Sequence, residues 1–204
     1  MARTRILVGV AVLLAALAGT AVPVVARPAT VTTPSTATPS AAAAASAAKQ
    51  AAVKLSARAL AKLPADVRDE PSRLALIPIF KAEAERYHVP ADLLMALAYT
   101  ESRWRADAVS SSGAVGVCQL LPSTSRWLAR DLIGLPKLNP KVAADNIRMG
   151  ARMLRQLLDS FKTERLALAS YFEGHGSIVR HGPTRAGRRY ATVVQSRRSM
   201  FGSL

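Results

Sequence analysis

Every aromatic side chain of this 204-residue chain lies in roughly its last two thirds: Phe80, Tyr87, Tyr99, Trp104, Trp127, Phe161, Tyr171, Phe172, Tyr190 and Phe201. Aromatic rings bury the largest apolar areas, so a core can assemble only there. Residues 27–48, RPATVTTPSTATPSAAAAASAA, hold neither an aromatic nor an acid. Such a tract cannot bury enough surface to offset the entropy of ordering it, and it reads as a tether. The length suits one domain of ordinary size and is too short for two with a linker between them.

Ahead of the tether, residues 1–26 begin with Arg3 and Arg5, continue through the apolar run 6–18 and reach small residues at 19–21 and 24–26. That order reads as an export signal. An uncleaved anchor is the alternative, because residues 6–25 are just long enough to span a bilayer if Pro23 is tolerated. The short apolar part and its signal-like end favour cleavage. The product is then expected in the periplasm or the cell wall and outside, or at the membrane if the signal stays. No cysteine follows the apolar run, which argues against a lipid anchor.

Cys118 is the only cysteine, so an internal disulfide is impossible and the exported domain must rely on its core. His88, His175 and His181 lack the spacing of a zinc site, and they read as surface or cleft-edge residues. Neither metal nor cofactor is expected. The formal charge is +15, and removing residues 1–26 takes away only Arg3 and Arg5, leaving +13. An anionic partner follows, and export directs that inference to wall polymers and membrane headgroups rather than nucleic acid.

Helical periodicity dominates the rest. Residues 49–63 space Ala52, Leu55, Ala59 and Leu63 as a peripheral helix within a linker over 27–70. Residues 78–87 start with a proline at a first helical position. Residues 91–102 carry Leu94, Leu97, Ala98 and Glu101 on one stripe, which puts Glu101 on the buried face. Asn139 and Pro140 read as the cap and first turn of a helix with Ile147, Ala151, Leu154, Leu158 and Phe161 on its apolar face. Arg148, Arg152 and Arg155 then form a basic outer surface. Helices over 164–172, stopped by Gly174, and over 188–201, built on Tyr190, Val193 and Val194, complete the chain. With no alternating strand pattern, the domain over 71–204 is expected to be all-α.

Glu101 carries the chemistry. Near a helix C-terminus the macrodipole disfavours a negative charge, and burial beside Leu97, Ala98 and Trp104 pushes the same way. Both keep a carboxyl protonated near neutral pH, as a general acid requires. On the helix pattern alone, a glutamate with a packed stem and a solvated head remains the alternative.

Residues 97–124, LAYTESRWRADAVSSSGAVGVCQLLPST, bear on that choice. They resemble the signature of the SLT-type lytic transglycosylases, a lysozyme-like family that cleaves peptidoglycan. Glu101-Ser102 stands where the family has its catalytic Glu-Ser. Ser110, Gly113-Ala114, Gly116, Gln119-Leu120, Pro122 and Thr124 match the following loop without a gap. Asn146-Ile147 with Gly150 and Leu154, and Ala167–Tyr171 with Gly174, resemble two later segments. The resemblance covers roughly residues 74–200 and implies a lysozyme-like helical domain with a groove for a glycan strand.

It further implies that Glu101 is the acid/base, that Ser110 and Gln119 line the subsites and that Tyr171 hydrogen-bonds near the carboxyl. Trp104 is left between core packing and walling the groove. Three positions depart from the pattern. Cys118 replaces a common Met and reads as a small buried hydrophobe. Phe172 and Glu173 stand where Asn and Ala are usual, which puts in doubt the substrate contact made by the Asn. Glu173 is either a solvent-facing helix-end residue or a second carboxylate near the cleft.

The expected reaction cleaves the β-1,4 bond between N-acetylmuramic acid and N-acetylglucosamine and leaves 1,6-anhydro-muramic ends. A hydrolytic lysozyme using Asp107 or Glu173 as second acid, and a wall-binding module impaired by the Phe172-Glu173 change, are the rivals. A monomer is expected. Arg180, Arg185, Arg188, Arg189, Arg197 and Arg198 are expected to hold the enzyme on the anionic wall, an attraction that salt weakens.

Overall fold

The computed structural model describes residues 55–204; the candidate signal, the tether and residues 49–54 lie outside that range. Short helices come first: α1 (Ala57–Lys62), α2 (Ala65–Arg68) and α3 (Pro71–Leu74). The main body follows with α4 (Ile77–Arg86), α5 (Ala91–Ser102), α6 (Pro122–Trp127), α7 (Ala143–Ser160), α8 (Glu164–Glu173), α9 (His175–His181) and α10 (Arg185–Arg197). A π-helical stretch over Leu128–Leu132 extends α6, and a 3-10 turn over Arg198–Met200 extends α10. Among the described residues there is no strand, only isolated bridges from Val115 to Val109 and Leu120, so the expected all-α fold is the one observed. None of the described helices is long and apolar enough to cross a membrane.

α5 is the axis of the molecule. Leu93 to Tyr99 are all buried without a break, so this helix has no polar face over two turns. A single apolar stripe therefore understates its burial, because neighbours surround it. α4 and α7 flank it, while α10 and the 3-10 turn close the other side. Arg198 fastens that closure by reaching Asp92 at the start of α5 (2.7 Å) and Glu164 at the start of α8 (2.9 Å). Opposite charges at three helix ends thereby replace solvent contacts with one shared ion network, and Arg198 is not part of a free cationic surface.

Three expectations about the later helices change. The helix beginning near Asn139 instead starts at Ala143. Asn139 Oδ1 accepts from the Lys141 N–H, and its own N–H donates to Asp145, so Asn139-Pro140 makes a turn before the helix. The arginines of α7 are half-buried and partnered rather than free: Arg148 meets Glu83 at 3.1 Å, and Arg155 meets Asp159 at 2.6 Å and the His88 carbonyl at 2.9 Å. On α10 the buried residues are Gly187, Ala191 and Val194, with Tyr190 only half-buried. That rotation turns Tyr190 toward α5.

Upstream of residue 71 the chain already belongs to the packed body. Leu63 and Val67 lie within the core, and Asp66 accepts from the Tyr99 hydroxyl at 3.0 Å while pairing with Arg73 and Arg103. Trp104 is a core residue, not a groove wall. Its ring sits between Phe80 and Phe201, with centroids 4.8 and 5.0 Å away, and its Nε1 donates to the Met95 carbonyl.

Candidate active site

α5 ends abruptly. Arg103 caps it in the left-handed conformation (φ 56°) and Trp104 follows at φ 61°, a costly pair for residues with a Cβ. Burial of the Trp104 ring offsets that strain, and the chain turns sharply away just after Glu101. The acid thus stands at the helix C-terminus, half-exposed, beside the loop 105–121.

Side chains from three helices partner the backbone of that loop. Ser102 Oγ donates to Val117 O (2.7 Å). Asn146, completely buried, accepts from the Cys118 N–H (2.7 Å) and donates to Val115 O (3.0 Å) and Pro140 O (2.8 Å). The Tyr171 hydroxyl donates to Cys118 O (2.9 Å), and Val115 and Leu120 exchange backbone bonds at 3.0 and 3.1 Å. Gly116 (φ 78°) permits this closeness, since a Cβ there would lie 2.5 Å from Asn146 Nδ2. Gly150 does the same for α7, because a Cβ would lie 2.5 Å from Cys118 Sγ. Cys118 is buried, and burial pushes its thiol far above the ordinary range, so it is an inert packing residue.

Glu101 Oε1 accepts from the Tyr190 hydroxyl at 2.5 Å, the one hydrogen bond of this carboxyl among the described residues. Burial raises the Glu101 pKa from 4.5 to about 7, and the Tyr190 bond opposes that rise by favouring the carboxylate. Tyr190 and Tyr171 have pKa values well above 10, through burial and then, in part, the nearby Glu101 charge, so both remain hydroxyl donors. The arrangement supplies a carboxyl that is poised to give up a proton near neutral pH, with one oxygen held and the other open. Among the described residues no group of three or more His, Cys, Asp or Glu converges as metal ligands would.

The other expected positions are placed as follows. Ser110 sits half-buried in a turn, its Oγ accepting from the Ala114 N–H at 3.0 Å. Gln119, at φ 49°, commits its amide nitrogen to Ala108 O and Gly116 O, which leaves Oε1 as its acceptor for a ligand. Tyr171 donates to the Cys118 carbonyl of the loop and feels the Glu101 charge. Glu173 is neither solvent-facing nor available to the cleft: it is buried, accepts from the Thr184 hydroxyl and N–H, and occupies the space a Cβ on Gly187 would fill. It ties α8 to the start of α10. Asp107 is exposed.

Residues 78–193 match the family model described as the transglycosylase SLT domain. The chain belongs to the SLT family. A membrane-bound lytic murein transglycosylase F 1 of Alkalilimnicola ehrlichii is 34% identical over 106 residues, which is 48% of this chain and 20% of that protein. The peptidoglycan transglycosylase gp16 of Escherichia phage T7 is 32% identical over 104 residues, 49% of this chain and 8% of that one. The matched region thus spans a fifth or less of these two relatives. Among solved structures, an inactive mutant of the lytic transglycosylase Slt from Pseudomonas aeruginosa superimposes with a TM-score of 0.56 at 27% identity, over 61% of this chain and 23% of that one. The 70 kDa soluble lytic transglycosylase of Escherichia coli gives 0.54 at 22% identity, over 61% and 23%, and speaks for the fold alone.

Within the SLT domain, sequence reasoning missed Tyr190 as the partner of Glu101 and Asn146 as the clamp of the loop. Tyr190 reads as one more core aromatic of a terminal helix, and only the docking angle of α10 aims its hydroxyl. The signal for Asn146 was an amide on the apolar side of an otherwise amphipathic helix. Buried amides keep such places when they satisfy several backbone groups at once.

Proposed function

We propose that the chain is an exported peptidoglycan lytic transglycosylase in which Glu101 serves first as acid and then as base. The observation that carries this is a carboxyl with a pKa near 7, bonded by Tyr190 on one oxygen, while Glu173, one of the two acids considered as a partner, is buried and spent on Thr184. A conventional glycosidase needs two carboxylates. With one, the same group protonates the β-1,4 oxygen between N-acetylmuramic acid and N-acetylglucosamine, the substrate's own N-acetyl group assists departure, and the resulting carboxylate takes the proton of the muramic 6-hydroxyl. That hydroxyl closes on the anomeric carbon and leaves a 1,6-anhydro end.

Tyr190 stabilises the charged form, so it lowers the cost of the intermediate state in which Glu101 has donated its proton. Burial supports the opposite half, keeping the acid loaded before attack. Ser110 and Gln119 Oε1 lie on the glycine-bearing loop where polar groups can approach a sugar. Tyr171 holds that loop in place. The exposed Arg180, Arg185, Arg188 and Arg189 at the C-terminal end supply attraction to anionic wall polymers.

Mass spectrometry of purified peptidoglycan digested with the wild type and with Glu101→Gln tests the reading. Anhydro-muropeptides are expected from the wild type, with a loss on the order of 10²–10⁴ in rate for the variant. Reducing-end products would establish hydrolysis instead, and no products from a folded wild type would reduce the protein to a wall-binding module.

A further inference from the structure

Phe172 stands apart from the other rings around Glu101. Tyr171 is part of the core and Tyr190 packs against it, whereas Phe172 belongs neither to the core nor to the half-buried apolar residues resting on it. Its aromatic neighbour is Tyr190, with ring centroids 4.9 Å apart and planes only 16° from parallel. That tyrosine is the ring whose hydroxyl bonds Glu101. Phe172 therefore lies one aromatic layer from the group in contact with the acid, half-buried, without the burial that normally explains a phenylalanine.

A ring stacked on one aromatic neighbour and still partly exposed presents apolar surface. Hexosamine residues present a matching surface, the flat array of ring C–H groups together with the methyl of the N-acetyl group. Contact of such a surface with an aromatic face removes apolar area from water and adds dispersion, with no hydrogen bond required. The SLT pattern has an asparagine at this position, whose amide both donates and accepts; Phe172 does neither.

We propose that Phe172 contacts the substrate directly, as an aromatic platform for an N-acetylated sugar beside Glu101, so that stacking replaces amide hydrogen bonding at this subsite. The proposal rests on reading the Glu101 cleft as a glycan-cleaving site. It implies a shift in selectivity: the subsite tolerates altered polar substituents on the sugar but requires an unobstructed ring face. Phe172 is in this sense a specificity-determining residue of this chain rather than a prop for Tyr190.

Three variants and three readouts separate the possibilities. In the Glu101→Gln background, binding of the N-acetylglucosamine tetramer is measured by calorimetry with Phe172, Phe172→Leu and Phe172→Tyr. In the active enzyme, KM and the pH profile of kcat are measured for wild type, Phe172→Leu and Phe172→Tyr on soluble glycan strands. The expected result is a roughly 3- to 10-fold loss of tetramer affinity and a similar rise in KM for Phe172→Leu, with recovery in Phe172→Tyr and an unmoved pH midpoint.

Unchanged affinity and KM in Phe172→Leu would overturn the proposal and leave the cleavage reading intact. A displaced pH midpoint with unchanged affinity would overturn it too, by assigning Phe172 to the support of Tyr190. Phe172-dependent binding in a wild type that releases no muropeptides would uphold the platform and sink the cleavage reading, and neither binding nor cleavage by a folded protein would sink both.

Discussion

At the scale of single residues, the protonation of Glu101 is a contest between two influences of opposite sign. Burial holds its proton on, and the Tyr190 hydroxyl helps to take it off; the balance leaves a pKa of about 7. On the proposed mechanism the protonated form donates to the glycosidic oxygen, and activity should then fall as pH rises through about 7. Removing the hydroxyl with Tyr190→Phe deletes the hydrogen bond that favours the carboxylate, so the pKa rises and the alkaline limb of kcat should move upward by about one pH unit, alongside a drop in maximal rate. A limb that stays put, or moves to lower pH, would show that the Tyr190 bond does not govern the acid. Glu101 itself was legible in the sequence, since its place on a helix stripe and the Glu-Ser signature converge on it. Tyr190 was not, because a hydroxyl's partner depends on the relative rotation of helices 89 residues apart in the chain.

Among elements, the loop 105–121 is the least autonomous part of the site and the most dependent on its neighbours. It has two isolated bridges in place of a ladder and instead borrows donors and acceptors from α5, α7 and α8 through Ser102, Asn146 and Tyr171. Asn146 alone partners three backbone groups, the Cys118 N–H fully buried and the Val115 and Pro140 carbonyls partly so, and Asn146→Ala should cost about 2 kcal/mol or more by leaving them unpaired. Urea denaturation measures this, and a loss below about 1 kcal/mol would mean that the loop finds other partners. The glycines of this loop were readable as a turn-rich segment, and Gly116 has a reason for its identity in the nearby Asn146 side chain. The false start of α7 has an equally local cause. Asn139 can cap a helix or close its own turn, and the Asp145 carboxylate on its N–H settles it in the turn.

For the whole molecule, the packed body reaches further upstream than the aromatic distribution suggested. Leu63 and Val67 are almost completely buried, and Asp66 joins this segment to Tyr99 on the central helix and to Arg103 that caps it. A chain beginning at residue 71 would therefore expose the apolar surface those residues cover. Burial of a Val or Leu side chain contributes about 1.5–3 kcal/mol, so residues 71–204 should be less stable than residues 55–204 by about 3 kcal/mol or more. Thermal unfolding of the two fragments checks this, and equal midpoints would make the segment a passive neighbour. By itself the sequence determined the helical class, the placement of α4, α5, α7 and α8 to within a few residues, and the carboxyl proposed as the acid, because periodicity and an ungapped motif are local properties. Tertiary structure decided what surrounds that carboxyl. The burial that raises its pKa, the hydroxyl that opposes it, the diversion of Glu173 to Thr184 and the stacking of Phe172 on Tyr190 all arise where α8 and α10 meet the end of α5. Contacts of that kind are set by docking angles between distant helices, which no single segment encodes.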